Sequence, residues 1–214
     1  MNRMSRITQL APNGKRAELL DVIVDGKVLA TLSAESARAL RLQVGTPVDE
    51  PLSTAIEREA QATRAMDRAL NMIAFRARSV RELRRGLLRK GEPEEAVERA
   101  VERLIASGLL DDAEYARQLA RSKLVSRGFS RRRLQDELFR RGVEREVARE
   151  AIEAVMADES VDESAMVELL ARKKLRTLAG LDAATRRRRL YSFLARRGYS
   201  PDDVRAVTEK LDRE

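Results

Sequence analysis

Leu83-Arg-Arg-Gly-Leu87-Leu88-Arg89-Lys90-Gly91 is the stretch that decides the fold of this chain, because the same pattern returns twice. In each copy, two leucines four residues apart share one helix face. Two cations follow, where they favour the negative end of the helix dipole, and a glycine supplies the left-handed conformation that closes a helix. The later copies read Leu134-Gln-Asp-Glu-Leu138-Phe139-Arg140-Arg141-Gly142 and Leu190-Tyr-Ser-Phe-Leu194-Ala195-Arg196-Arg197-Gly198.

The three glycines are spaced 51 and 56 residues apart, and each is followed by an acidic stretch typical of a new helix. This period predicts one three-helix unit used three times. The predicted fold is mainly α: an elongated array of three tandem three-helix repeats with a small N-terminal β-hairpin-plus-helix module. The predicted boundaries are 1–52 for the N-terminal module, then 53–110, 111–157 and 158–214 for the repeats.

The N-terminal module is predicted from turn signals between short apolar runs. Strands are expected over 7–10, 19–24 and 27–32, with turns over 11–15 and at Asp25-Gly26. Ser33 is expected to cap a short helix over 34–42. So small a module has a thin core of its own, and we expect it to lean on the helices that follow.

Amphipathic periodicity and capping residues predict the helices of the repeats. In the first repeat, helices are expected over 54–76, from the cap Ser79 to Lys90, and over 93–107, with Glu82 completing a capping box. Asp111 or Asp112 is expected to cap the first helix of the second repeat. The alternative to capping is an acid–base or metal role for this pair. Predicted inward-facing residues are Val97, Val101, Leu104, Ile105, Tyr115, Leu119, Leu124 and Val125.

The composition argues against catalysis. The chain has no cysteine and no histidine, which removes the thiolate nucleophile, the commonest metal ligand and the usual general base. It also has no glycine-rich phosphate loop and no nucleophile–base pair. We therefore expect no enzymatic activity, no catalytic residue, no metal site and no cofactor. The absence of an apolar signal core and of a long apolar run predicts a cytoplasmic protein that does not contact membranes. A monomer is expected.

The charge favours a polyanionic partner. The net charge is +8, and residues 65–214 carry +7 of it. Arg131-Arg132-Arg133 is expected in the first turn of a helix, where cations oppose the dipole, so a functional anion contact is favoured. The alternative is a solvated surface with pairing to Asp136 and Glu137. The run 185–189 is expected to repeat this cationic first turn.

Charge placement selects twelve candidate contacts for protein or DNA: Arg84, Arg85, Arg89, Lys90, Arg127, Arg131, Arg132, Arg133, Arg140, Arg141, Arg187 and Arg188. For the pairs Arg89-Lys90, Arg140-Arg141 and Arg196-Arg197, helix capping is an equal alternative. Base stacking is disfavoured because it requires exposed aromatic rings. The following aromatic residues are all expected at core-like positions: Phe75, Tyr115, Phe129, Tyr191, Phe193 and Tyr199.

Several strings in the first two repeats resemble the RecX regulatory family. They are Arg78-Ser79-Val80-Arg81-Glu82-Leu83, then Leu110-Asp111-Asp112-Ala113-Glu114-Tyr115-Ala116, and Glu137-Leu138 followed by Gly142-Val143. The likeness covers about residues 65–156 well and extends less sharply to the C-terminus. It implies three tandem three-helix repeats, in agreement with the period read above.

The resemblance also implies a function in DNA repair, recombination and the SOS response. Family members bind the RecA recombinase filament on single-stranded DNA and modulate it, mostly by inhibiting its ATPase and strand exchange. Two alternatives come from the residues: a standalone helix-turn-helix-like protein that binds single-stranded or duplex DNA, and a helical scaffold for an acidic protein.

Overall fold

The computed structural model describes residues 5–14 and 16–212, in which a three-stranded antiparallel sheet precedes ten helices. These residues form two compact units: the first is the chain through Arg78 with Leu83–Leu110, and the second is Ser79–Glu82 with the chain from Asp111. The elements are β1 (Ile7–Asn13), β2 (Arg16–Val24), β3 (Lys27–Ser33), α1 (Ala34–Ala39), α2 (Glu50–Phe75), α3 (Val80–Arg89), α4 (Glu94–Ala106), α5 (Asp112–Arg127), α6 (Arg131–Arg140), α7 (Arg145–Asp158), α8 (Glu163–Arg176), α9 (Ala183–Ala195) and α10 (Pro201–Asp212).

The predicted fold class, mainly helical with a small N-terminal module containing β-strands, is confirmed. The four predicted domain boundaries stay a prediction. No helix in residues 5–14 and 16–212 is long and apolar enough to cross a membrane.

The N-terminal sheet has the order β1-β2-β3. Asp25 and Gly26 both have positive φ, which gives the hairpin turn predicted between β2 and β3. β1 continues three residues beyond the predicted end, to Asn13. Pro12 is accommodated because β1 is an edge strand that needs no ladder N–H there. The Asn13 side chain accepts a hydrogen bond from the Arg16 backbone N–H and donates one to Asp21, which ties the turn together.

The N-terminal module packs on the first long helix, as expected from its thin core. Ile7, Val22 and Leu32 share one buried cluster with Ile56 and Ala60 of α2. Ser33 caps α1 as predicted, but that helix ends at Ala39 rather than at residue 42. α2 starts four residues earlier than predicted, because Asp49 accepts a hydrogen bond from the Leu52 N–H and Pro51 suits the first turn.

In the first unit, α2 packs along α4. A Cβ added at Gly86 of α3 would collide with the end of the Met72 side chain of α2, so the glycine leaves room for that methionine. Val97, Val101 and Leu104 are buried as predicted, whereas Ile105 is 47% exposed, so its predicted inward position is wrong. Ile105 lies at the edge of the apolar stripe, where the packing of neighbours decides burial.

The second repeat has its own core. Asp111 caps α5 through the Ala113 and Glu114 N–H groups, which confirms capping for this residue. Tyr115 and Leu124 are buried and Leu119 packs against the same cluster, but the predicted inward position of Val125 is wrong, since it is 67% exposed. Gly128 ends α5 in the left-handed conformation.

The third repeat differs from the second at the start of its middle helix. α9 begins at Ala183, with Asp182 as its cap, so the arginines at 186–189 lie one turn inside the helix. The prediction that they form a cationic first turn is therefore wrong. The five extra residues between Gly142 and Gly198 lie mainly in the loop before α9 and in this added first turn. The closing glycines Gly91, Gly142 and Gly198 all have positive φ, as predicted.

Candidate interface for polyanionic partners

Eleven of the twelve candidate cations lie on the middle helix of a repeat or directly after it. Arg84, Arg85 and Arg89 belong to α3, and Lys90 follows it. Arg127, the exception, ends α5. The second and third repeats contribute Arg131, Arg132, Arg133, Arg140 and Arg141 on α6 or just after it, and Arg187 and Arg188 on α9.

Arg84 is engaged within the protein. Its Nε and Nη2 donate to the two carboxylate oxygens of Glu98, at 2.5 and 2.6 Å. This bidentate pair lowers the pKa of Glu98 through the hydrogen bond from Arg84. An external contact of Arg84 would compete with Glu98.

Arg141 is also engaged. Its guanidinium donates to Glu137 at 3.0 Å and to the Tyr115 hydroxyl at 3.1 Å, and it lies 3.4 Å from Glu82. Two carboxylates therefore balance this cation inside the second unit. For Arg141, the sequence left helix capping and partner contact as equal alternatives. The structure adds a third role, because Arg141 takes part in an internal ion-pair network.

The first turn of α6 carries three arginines, as predicted, with Ser130 as its cap. No ion pair joins them to Asp136 or Glu137 in the part of the chain that is described, so the alternative of pairing at helical spacing is wrong. Glu137 is instead held by Arg141, and the Arg131 guanidinium lies 3.8 Å from Glu153. Arg132 is exposed, and Arg133 is half-buried against the Phe129 ring.

The remaining candidates face solvent. No ion pair or side-chain hydrogen bond to another described residue holds the following exposed side chains: Arg85, Arg89, Lys90, Arg127, Arg132, Arg140 and Arg188. Arg187 is exposed beside Arg188 on α9. These side chains can therefore bind an anion without breaking an ion pair within the described residues.

Two aromatic residues are not where the sequence predicted them. Phe75 is 85% exposed and Tyr191 is 46% exposed, so their predicted core-like positions are wrong. Phe75 is the last residue of α2, where no further turn continues the helix, and Tyr191 lies at the edge of the apolar stripe of α9. The sequence disfavoured base stacking because it needs exposed aromatic rings, and these two rings are exposed.

Tyr191 lines a cavity of about 470 Å³ between α9 and α10. Arg187, Arg188 and Arg205 line the same cavity, with Thr208 and Glu209. A ring beside three guanidinium groups, with a hydroxyl and a carboxylate, has the chemistry to hold a base and its phosphate. Arg205 is not among the twelve candidates because it stands alone rather than in a basic run.

Arg197 is not among the twelve candidates, although contact with a partner was an equal alternative to capping for the pair Arg196-Arg197. Its guanidinium stacks 3.7 Å from the centroid of Phe193, and its Nε donates to the Arg127 carbonyl at 2.9 Å. Burial, followed by the charges of Arg196 and Arg127, lowers the pKa of Arg197. The four-residue spacing of Phe193 and Arg197 was the available signal, since such side chains meet on a helix.

The two adjacent aspartates, Asp111 and Asp112, have different roles. Asp111 caps α5, whereas Asp112 accepts a hydrogen bond from the Val80 N–H at 2.8 Å. Burial raises the pKa of Asp112, and the nearby carboxylates Asp111, Glu144 and Glu82 raise it further. Among the residues whose placement is described, no group of three or more potential ligands is arranged to hold a metal ion.

Family models match the three helical repeats in order. The first three-helix domain of RecX matches residues 65–104, the second matches 111–152, and the third matches 162–208. The third match extends the resemblance, which the sequence strings carried best over residues 65–156, into the C-terminal repeat.

Relatives named "Regulatory protein RecX" cover most of the chain. The protein of Amycolatopsis mediterranei is 40% identical over 66% of this chain and 79% of its own length, and that of Mycobacterium avium is 39% identical over 70% and 84%. The protein of Clostridium botulinum is 27% identical over 97% of this chain and 96% of its own.

Solved structures share the fold. A crystal structure of regulatory protein RecX superposes with a TM-score of 0.76 and 21% identity, covering 96% of this chain and 99% of its own. RecX from Lactobacillus salivarius gives a TM-score of 0.59 with 18% identity, covering 72% of this chain and 98% of its own. From the three domain matches and the relatives of near 40% identity, this chain belongs to the RecX family of regulatory proteins.

Proposed function

We propose that the protein binds the RecA recombinase filament on single-stranded DNA and inhibits its ATPase and strand exchange. The match of three successive RecX domains carries this proposal, and relatives with near 40% identity are named as regulatory proteins. The activity is one of binding rather than of catalysis. The proposal also places the protein in the cytoplasm, where recombinase and DNA meet, and takes it to be a monomer.

The exposed cations supply the contacts. A recombinase filament on DNA presents phosphate groups and acidic side chains, and unpaired guanidinium groups bind both through charge-assisted hydrogen bonds. Arg85, Arg132 and Arg188 represent the exposed side chains of the three middle helices. Binding along the filament groove would hinder the strand movements that accompany ATP hydrolysis.

The test is the ATPase rate of RecA on single-stranded DNA, with this protein added below the recombinase concentration. We expect the rate to fall. Arg132→Glu should weaken the inhibition, because it reverses an exposed cation without a described internal partner. Arg64→Glu is the matched control: it makes the same charge change at an exposed position on α2 that is not among the twelve candidates.

An unchanged ATPase rate at a molar excess of the protein would refute the proposal. Equal losses for Arg132→Glu and Arg64→Glu would remove the middle-helix cations from the site, leaving only the net charge as the cause.

A standalone DNA-binding function is the second candidate, favoured by the cavity that combines Tyr191 with three arginines. It requires tight binding to bare DNA and no effect on the ATPase. The two functions separate when the ATPase assay is run beside a binding assay with bare single-stranded and duplex DNA.

A further inference from the structure

Two segments make equivalent contacts within the second unit. The first junction joins residues 79–82 to the second repeat: the Val80 N–H donates to Asp112 at 2.8 Å, and the Ser79 hydroxyl donates to the Arg141 carbonyl at 2.5 Å. The second junction joins residues 130–133 to the third repeat: the Arg131 N–H donates to Glu163 at 3.0 Å, and the Ser130 N–H donates to the Arg197 carbonyl at 2.9 Å.

Because the two junctions share these contacts, their side chains can be compared position by position. Glu82 and Arg133 each directly precede a copy of the nine-residue pattern that defines the repeat. Within the pattern, Glu137 and Phe193 share one position, and Arg141 and Arg197 share another. The first junction therefore serves as an internal reference for the second.

At the first junction the half-buried cation is balanced. Arg141 bonds to Glu137 and lies against Glu82, and the Tyr115 hydroxyl accepts a further hydrogen bond. This is the arrangement expected of a structural arginine, since a half-buried charge needs counter-charges and acceptors.

At the second junction both carboxylates are absent. Arg133 replaces the first and Phe193 replaces the second. The guanidinium of Arg197 lies on the Phe193 ring, and that of Arg133 lies 5.6 Å from the centroid of Phe129. The rings hold the two cations by cation–π attraction but do not neutralise them.

The resulting charge is unbalanced. Arg133 Nε is buried and has no hydrogen-bond partner among the residues described, which is unusual for a buried donor. The nearby carboxylate of Glu163 accepts from the Arg131 backbone N–H. Arg127 and Arg196 add positive charge beside Arg197, and burial together with these two cations lowers its pKa. A bound anion would reduce the repulsion between these cations.

We propose that the second junction binds a backbone phosphate of single-stranded DNA. A phosphodiester has two non-bridging oxygens that share one negative charge, and together they can bridge two guanidinium groups. The exposed Arg127, Arg132 and Arg196 border the junction and extend the positive charge beyond one anion, as a chain of phosphates requires. This inference deepens the proposed function, on which it rests for the identity of the nucleic acid.

The test variant is Arg133→Glu, which gives Arg197 the carboxylate that Arg141 has in the first junction. We expect the variant to keep its fold and its melting temperature, because the reference junction is stable with glutamate there. Its affinity for a fluorescein-labelled oligothymidylate, measured by anisotropy without recombinase, should fall by at least about ten-fold, the effect of one charge-assisted hydrogen bond.

Two controls accompany it. Arg133→Lys keeps the positive charge and should retain most of the affinity, while Arg64→Glu makes the same change in net charge in the first unit. Unchanged affinity of Arg133→Glu would overturn the inference, and so would an equal loss for Arg64→Glu.

The ATPase assay distinguishes this inference from the proposed function. If Arg133→Glu weakens ATPase inhibition but binds the oligothymidylate normally, the junction contacts an acidic protein surface and the phosphate assignment is wrong. If the wild-type protein leaves the ATPase unchanged while Arg133→Glu loses affinity for the oligothymidylate, the phosphate site stands and the recombinase function fails.

Discussion

Asp112 illustrates, at the scale of one residue, how a predicted cap acquires a different partner. The sequence allowed either aspartate of the pair to cap α5, and Asp111 does so. Asp112 reaches Val80, which lies 32 positions earlier in the chain. Its half-buried place among other carboxylates raises its pKa. The contact stabilises a backbone N–H, but the charge opposes folding.

The pH dependence of Asp112 follows from this conflict. Because its pKa is higher in the folded state than in the unfolded one, its titration favours folding below the unfolded value of about 3.9, and this contribution is lost as pH rises through the folded pKa. Asp112→Asn keeps the acceptor oxygen and removes the charge. The stability of the variant relative to wild type should therefore rise between acidic and neutral pH.

Urea unfolding of both proteins at several pH values measures this difference. Asp112→Ala, which removes the acceptor, should cost about 1 kcal/mol at neutral pH. If Asp112→Asn is as destabilising as Asp112→Ala at pH 7, the charge rather than the hydrogen bond is what the fold needs.

At the scale of the element, the closing glycine of the middle helix has two separate roles. Gly91 and Gly198 both have positive φ, so both provide the left-handed conformation that ends a helix. They differ in surroundings. A Cβ at Gly91 would meet open space, whereas one at Gly198 would lie 2.5 Å from both Arg133 Cβ and Ser130 Oγ.

Alanine at these two positions should therefore have unequal effects. Gly91→Ala should cost about 1–2 kcal/mol, the strain of a left-handed non-glycine residue. Gly198→Ala should cost more, because it adds a collision with the 130–133 segment, where the Arg133 Cα also lies within 3.1 Å. Chemical unfolding of the two variants gives the comparison, and equal losses would mean that the contact at Gly198 relaxes without cost.

The elements also show where sequence reasoning succeeds. Ser33, Asp111, Ser130 and the closing glycines act as predicted, because a cap depends on residues within one turn. Ile105, Val125 and Tyr191 were misplaced because each lies at the margin of an apolar stripe. At that margin, the neighbouring helices determine whether a side chain is covered.

At the scale of the whole molecule, the main electrostatic feature is the surplus of positive charge. The chain holds 43 Lys and Arg against 35 Asp and Glu. Many of the arginines form internal ion pairs, such as Arg84–Glu98 and Arg149–Glu146. The exposed, unpaired cations of the middle helices remain available to a polyanion.

Binding to single-stranded DNA should accordingly weaken as salt rises. Each phosphate neutralised contributes about −0.7 to the slope of log K against log salt concentration, so contacts to about three phosphates predict a slope near −2. Titrations of the oligothymidylate at several salt concentrations measure it. A slope near zero would show that DNA phosphates are not the partner and would favour an acidic protein surface bound through specific pairs.

The repeat period, the capping residues and the family strings were readable along the chain, because each depends on residues that are close in sequence. They predicted the helical fold and the family, and they located the basic middle helices. The tertiary structure decided which cations are balanced and which are not. Glu82 and Arg141 are 59 residues apart, as Arg127 and Arg197 are 70 apart, and only folding brings such residues together. The contrast between a first junction whose cation is paired with carboxylates and a second junction whose cations are not follows from those long-range contacts.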